Sequence, residues 1–218
     1  MENVPMPDKP LKIMIGIPCL EFMNPHAVMS FVRLVGNAAK NPNYEIIPLI
    51  LYGIPMPHVR NVMVEEVLKQ ECDYLLSIDD DEIYPPNVLD ILMAHNKDIV
   101  AGLYFKRNAP PVTPNILNLI EDGPKKVYKE VMNYQKGLIR VDAVGMGMTL
   151  IRNEVFRKVK PPWFVANYPE FSEDVYFCLQ AMMVGYQAWA DTNLVIGHIF
   201  SGPVAVGEHT FLRGEFKY

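Results

Sequence analysis

Over the first hundred residues, short continuous apolar runs alternate with longer segments whose apolar positions recur every three or four residues. The runs are LKIMIGIPC from Leu11 to Cys19, YEIIPLILYG from Tyr44 to Gly53, YLLSI from Tyr74 to Ile78 and DIVAGLY from Asp98 to Tyr104. Apolarity without alternation predicts strands covered on both faces. Between the first two, NPHAVMSFVRLVGNAAKNP places Val28, Phe31, Val32 and Val35 at helical spacing. Asn24 is the expected N-cap and Pro25 the first helical residue. PMPHVRNVMVEEVLKQECD sets Val59, Val62, Met63, Val67 and Leu68 on one helix face, and PPNVLDILMAHN opens a third helix at Pro86 and Asn87. The order βαβαβαβ predicts a parallel sheet with helices on both faces.

The pattern changes after Tyr104. A loop rich in proline (Pro110, Pro111, Pro114) precedes two expected antiparallel strands, KKVYKEVMNY and GLIRVDAV. GMGMTLIRNEVFRKV, a loop at KPPWFVANYPEF, a helix at EDVYFCLQAMMVGY and a last strand near AWADTNLVIGHI complete the chain. The expected fold is α/β, a mixed and mainly parallel sheet flanked by helices. No linker composition separates two folding units, and 218 residues suit one domain spanning 1–218.

Composition narrows the functional classes. Half the residues are hydrophobic, enough for a sizeable core, and mean hydropathy is near zero. A net charge of −5 gives no broad footprint for nucleic acid, although YFKR is a local basic patch. Cys19, Cys72 and Cys178 are far apart and odd in number, which reads as reduced thiols in a cytoplasmic setting. No signal peptide is evident, and no apolar run reaches the ~18 residues of a membrane span.

The chemistry concentrates in YLLSIDDDEIYPP. Three adjacent aspartates repel one another, and a divalent cation converts that repulsion into attraction. In an extended turn Asp79 and Asp81 point one way and Asp80 the other. Two convergent carboxylates suit Mg²⁺ or Mn²⁺. The cluster also follows a buried strand, where open α/β sheets bind ligands. An acidic surface turn before Pro85 and Pro86 would carry the same residues.

Four weaker signals accompany it. Glu173 and Asp174 open a helix behind Ser172, where they suit the helix dipole or make Asp174 a rigidly held general base. Gly145 and Gly147 lie between apolar strand residues, as a bulge or as a close approach to ligand. They form no dinucleotide fingerprint. His198 follows an apolar strand, as a core residue or as a ligand. Arg60 and Asn61 stand early in a helix, on a solvated face or on a diphosphate or base.

In this order the pieces resemble the GT-A glycosyltransferases, especially family 2-like enzymes. The resemblance rests on IGIPC, RN, LLSIDDD, AVGMGMTLIRNEVF, SEDVYFC and a late GH, over about residues 12 to 198. The compact length is similar to small phage and bacterial members. The resemblance implies a nucleotide-binding half at about 11–104 and an acceptor and catalytic half at about 105–218. It implies Asp79 and Asp81 as the Asp-x-Asp pair, Asp80 as its middle residue, and His198 as the late metal ligand, with Mn²⁺ or Mg²⁺ as cofactor. Asp174 matches the base of inverting members. Pro18, Cys19, Leu20 and Glu21 match the base and ribose site of a UDP- or GDP-sugar, with Arg60 and Asn61 nearby. Gly145 and Gly147 would line the sugar pocket. Lys106 and Arg107 would hold donor phosphate or sugar, and otherwise form a solvated strand end. Trp163, Phe164 and Tyr168, with Glu173, would wall the acceptor, and otherwise are core-edge packing.

The implied activity is hexosyltransferase-type transfer from a nucleoside-diphosphate sugar to a hydroxyl on a glycan, small molecule, protein or modified nucleobase. The Gln-x-x-Arg-Trp motif of processive synthases is absent from the sequence, as are membrane helices. A retaining transferase, a nucleotidyltransferase and a non-catalytic nucleotide-sugar binder are the rivals. A nucleotidyltransferase usually opens on a Gly-rich loop with a basic residue, which IGIPCLEFMNPH lacks.

Overall fold

The computed structural model describes residues 9–20, 22–53, 55–107, 112–167 and 171–199, and the backbone of 205–206. In chain order the elements are β1 (Leu11–Cys19), α1 (Pro25–Ala38), β2 (Tyr44–Tyr52), α2 (Met56–Lys69), β3 (Tyr74–Ile78), β4 (Glu82–Ile83), α3 (Val88–Ala94) and β5 (Ile99–Leu103). There follow β6 (Ile116–Asp122), β7 (Lys125–Glu130), β8 (Leu138–Val141), β9 (Ala143–Val144), β10 (Met148–Arg152), α4 (Asn153–Lys158), α5 (Glu173–Met183), β11 (Ala188–Val195), β12 (Gly197–Ile199) and β13 (Ala205–Val206).

The main sheet runs β2-β1-β3-β10-β5-β11-β8. Strands β2, β1, β3, β5 and β11 point one way, and β10 and β8 the other. The parallel core expected from the first four runs is therefore split. Strand β10, from much later in the chain, enters antiparallel between β3 and β5. Two three-stranded sheets, β13-β12-β4 and β7-β6-β9, attach beside it. Strands β4 and β6 were not expected from the pattern.

Continuous apolarity in β1, β3 and β5 is used on both faces. Ile13, Ile15, Ile17, Leu76 and Ile78 pack with Leu34 of α1 and with Leu89 and Leu92 of α3. Met14, Leu75 and Ala101 pack on the opposite face with Met63 and Val67 of α2, Phe156 of α4 and Phe177 of α5. Each such aliphatic side chain contributes about 1.5–3 kcal/mol of burial. At the edge, β2 alternates in burial and tolerates Pro48, since an edge strand needs hydrogen bonds on one side only.

The helix starts follow the sequence in part. Asn24 caps α1, its side chain accepting the His26 N–H at 2.9 Å, with Pro25 first in the helix. Its buried stripe is Ala27, Ser30, Leu34 and Ala38, one position off the expected face, and Val32 is 55% exposed. Phe31 and Val35, from the expected face, are partly buried against the same cluster. Helix α3 starts only at Val88, and neither Asn87 nor Ser172 makes a side-chain cap.

Since β10 is reversed, its amino end meets the carboxyl ends of β3 and β5. Met148 pairs with Ile78, so Gly147 sits beside Asp79, whose N–H donates to the Gly147 carbonyl at 2.8 Å. Strand β12 closes the same corner. His198 lies opposite Glu82, and the Ile199 N–H donates to the Asp81 carbonyl at 2.8 Å.

Candidate active site

The three aspartates take three different environments. Strand β3 ends at Ile78 and the chain turns at Asp80 and Asp81, so strand alternation no longer governs their directions. Asp79 turns inward, accepting from Arg60 Nη2 at 2.9 Å. Asp80 and Asp81 together line a cleft of about 710 Å³ with Leu20, Phe22, Tyr52 and Arg107. The expected pairing of Asp79 with Asp81 against Asp80 is thus replaced by Asp80 with Asp81. Burial, then the charge of Asp81, raises the Asp80 carboxyl.

Asp81 faces His198. Its Oδ1 lies 3.2 Å from Nε2 of the imidazole, and its Oδ2 pairs with Arg107. Burial alone would raise Asp81, but His198 and Arg107 outweigh it and hold the carboxyl below its ordinary value. Nδ1 of His198 lies 2.8 Å from the Phe105 carbonyl. A carbonyl and a carboxylate only accept, so Nδ1 donates to Phe105 and Nε2 donates to Asp81; a cation beside Asp81 would take the Nε2 position in place of that hydrogen. A histidine fixed in this way is a ready cation ligand.

Arg60 is the surprise of the site. It is 4% exposed, on the buried face of α2 between Val59 and Met63, not in an open diphosphate pocket. It donates to Ser77 Oγ at 3.0 Å and to Asp79, while its Nε lies 3.7 Å from Glu173 and 3.8 Å from Asp174. One cation therefore ties the end of β3 to the start of α5. Burial opposes its charge, and Asp79, Asp174 and Glu173 more than offset that.

Asp174 has a 21% exposed side chain, and its Oδ1 has no hydrogen-bond partner among the described residues. Burial pushes its carboxyl up to about 7, helped by repulsion from Glu173 and Asp79 and opposed by Arg60 and a Met146 backbone hydrogen bond. A carboxylate at a cleft edge with a pKa near neutrality has the properties of a general base.

Other expected residues fall elsewhere. Pro18 and Cys19 end β1 inside the sheet, with Cys19 hydrogen-bonded to Asp80. Asn61 is a clamp on the loop after α4. Its Oδ1 accepts the N–H groups of Trp163 at 2.9 Å and Phe164 at 3.2 Å, and its Nδ2 donates to the Phe164 carbonyl at 2.8 Å. Trp163 is 6% exposed, with its indole N–H given to the Phe156 and Val159 carbonyls, and Phe164 stacks on Phe177. Trp163 is thus core, not an acceptor wall. Phe164, Asn61 and Glu173 do border a second cleft of about 680 Å³. Lys106 pairs with Glu130 at 2.7 Å and lines a different groove from the one at Asp80 and Asp81. Glu21 and Tyr168 lie outside the described residues.

Gly145 and Gly147 are buried beneath Tyr104. A Cβ at either would lie 3.0 Å from the Tyr104 Cζ, and at Gly147 also 2.8 Å from Asp79 Oδ2. Neither position has room for a side chain. Two residues of this centre escaped the sequence reading. The Tyr104 hydroxyl accepts the Gly147 N–H at 3.2 Å. Glu82 is fully buried, and neither of its oxygens has a hydrogen-bond partner among the described residues. Burial, then Asp79 and Asp81, push its carboxyl well above the ordinary range. The one available signal was position: Glu82 extends the aspartate run, and Tyr104 ends the fourth apolar run.

No family model and no curated protein matches the chain. Solved structures do. The crystal structure of A197 from STIV superposes with a TM-score of 0.65 at 18% identity, over 90% of each chain. The crystal structure of GalNAc-T7 with UDP, GalNAc and Mn²⁺ gives 0.62 at 11% identity, over 89% of this chain and 45% of that one. The fold is GT-A. Both neighbours share it, and this chain spans under half of the GalNAc-T7 chain. No helix among the described residues is long and apolar enough to cross a membrane.

Among the described residues no three His, Cys, Asp or Glu side chains gather as a metal cluster. Asp81 and His198 still form a convergent oxygen and nitrogen pair. Mg²⁺-type sites commonly use one or two protein carboxylates, with substrate phosphates and water completing the shell. The donor set is a two-residue one that fits Mn²⁺ or Mg²⁺ only with further ligands from outside the protein.

Proposed function

We propose that this chain is a metal-dependent, inverting glycosyltransferase of hexosyltransferase type, moving a sugar from a nucleoside-diphosphate sugar to a hydroxyl acceptor. One observation carries the reading. A base-like carboxylate, Asp174, is tied through Arg60 and Asp79 to the turn where Asp81 meets a pre-oriented His198.

Asp81 and His198 would hold the cation, with Asp79 behind them, and the bound cation would neutralise charge gathering on the departing diphosphate. The donor's base would enter the 710 Å³ cleft, where Phe22 and Tyr52 are 83% and 76% exposed and offer stacking faces for UDP or GDP. The carboxylate of Asp80, which lines that cleft, would border the ribose. Arg107, half exposed, can leave Asp81 for a phosphate oxygen. Gly145 and Gly147 lie under Tyr104 and leave no face for the sugar, and the acceptor would sit beside Glu173 in the second cleft. Asp174 takes the acceptor's hydroxyl proton as that oxygen bonds the anomeric carbon and the carbon–diphosphate oxygen bond breaks. Attack from the opposite face inverts the centre.

The test is a thermal-shift panel of nucleotide sugars with Mn²⁺, followed by calorimetry on Asp81→Ala with the best donor. Stabilisation by one donor that needs Mn²⁺ is expected. Asp81→Ala should lose at least about tenfold in metal-dependent affinity. Unchanged affinity in that variant would sink the metal role. The anomeric configuration of product, read by proton NMR, separates inversion from retention.

A further inference from the structure

We propose that Tyr104 is a positioning residue for the cation side of this site, fixing at once the Gly147 peptide that anchors Asp79 and the imidazole of His198. The proposal rests on the reading of Asp81 and His198 given above.

The phenol is buried and makes two different contacts. Its oxygen accepts the Gly147 N–H at 3.2 Å, and the carbonyl of that same glycine accepts the Asp79 N–H at 2.8 Å. A displacement of the phenol therefore passes through one residue to the first aspartate. The ring itself meets the His198 imidazole edge-on, with centroids 5.4 Å apart at 81°. The next residue, Phe105, supplies the carbonyl that fixes Nδ1. Consecutive residues thus hold the imidazole on two sides and leave Nε2 toward Asp81.

Tyr104 is held in turn by its own support. Asn115 Oδ1 accepts the Tyr104 N–H at 3.0 Å, and the Asn115 N–H donates to the Tyr104 carbonyl at 3.0 Å. The Asn115 carbonyl also accepts the Gly145 N–H at 2.9 Å. This network surrounds the phenol with fixed backbone, and the two glycines leave the space it fills. Core packing alone would be met by phenylalanine. The hydroxyl matters to one group, the Gly147 N–H, which would otherwise be buried without a partner.

Two variants separate the contacts. Tyr104→Phe keeps the ring against His198 and removes the acceptor for Gly147. Tyr104→Leu removes both. Mn²⁺ affinity, measured by electron paramagnetic resonance with UDP present, should fall severalfold in Tyr104→Phe and about 10–100-fold in Tyr104→Leu. If both folded variants stay within about twofold of the parent, the residue is packing only and the proposal is overturned. If the parent itself binds no Mn²⁺, the reading of Asp81 and His198 fails separately. The ¹⁵N shifts of the His198 ring then decide the positioning role. Movement in Tyr104→Leu supports it, and an unchanged imidazole in Tyr104→Leu overturns it.

Discussion

Asp174 shows how, on the proposed reading, a single residue would carry both function and instability. As an acid whose folded pKa is raised to about 7 from 3.8, it keeps a proton in the folded chain that the unfolded chain has already released. Between those two values stability falls as pH rises, and above about 7 the loss is complete. Activity runs the other way, because only the ionised form accepts a proton. The transfer rate should therefore climb through pH 7 and level off above it. Asp174→Asn should bind donor within about twofold of the parent yet lose transfer by about 10²–10⁴-fold. At pH 8 the same variant should be more stable by about 1 kcal/mol or more, roughly 2–4 °C in melting temperature, a gain that shrinks at pH 4. A wild-type rate in Asp174→Asn would remove it as the base.

At the scale of elements, the junction of β3 with β10 sets the site. Gly147→Ala would press a methyl group against Glu82, Asp79 and Tyr104 together, where Asp79 and Tyr104 stand only 2.8 and 3.0 Å from a Cβ. Overpacking of this kind costs about 1–3 kcal/mol. Chemical denaturation should report that loss, and Mn²⁺-dependent donor binding should weaken alongside it. Gly36→Ala, in the last turn of α1 with nothing near its Cβ, is the matching control and should be neutral or slightly stabilising.

The same junction marks where the sequence stopped being legible. Local periodicity found β1, β2, β3 and β5, because each is apolar on both faces and flanked by helical spacing. Periodicity says nothing about which strand lies between which others, so the insertion of β10 was invisible. The carboxylates, the histidine and the glycines were found by residue type. Arg60 was found too, but for a diphosphate or base, because a helix position does not show which carboxylates it will meet once α2 is packed down. Trp163 failed for the opposite reason, since an aromatic beside prolines looks available until its indole N–H is seen bonded to the end of α4.

Across the whole molecule, the aspartates of the β3 turn, His198 and Asp174 come from stretches far apart in sequence, and one sheet end gathers them. The insertion of β10 makes that gathering late. While the chain grows, β3 and β5 are complete long before Arg152 exists, a lag of about 2–10 s at ~5–20 residues per second. Through that interval the nascent sheet has a gap, with two five-residue apolar strands open at their edges. A fragment of residues 9–107 freezes the chain in this state. It should be insoluble and bind no donor, as a sedimentation assay would show, whereas a soluble and folded fragment would contradict it. The nascent chain is thus most in need of a chaperone before its reactive centre exists at all.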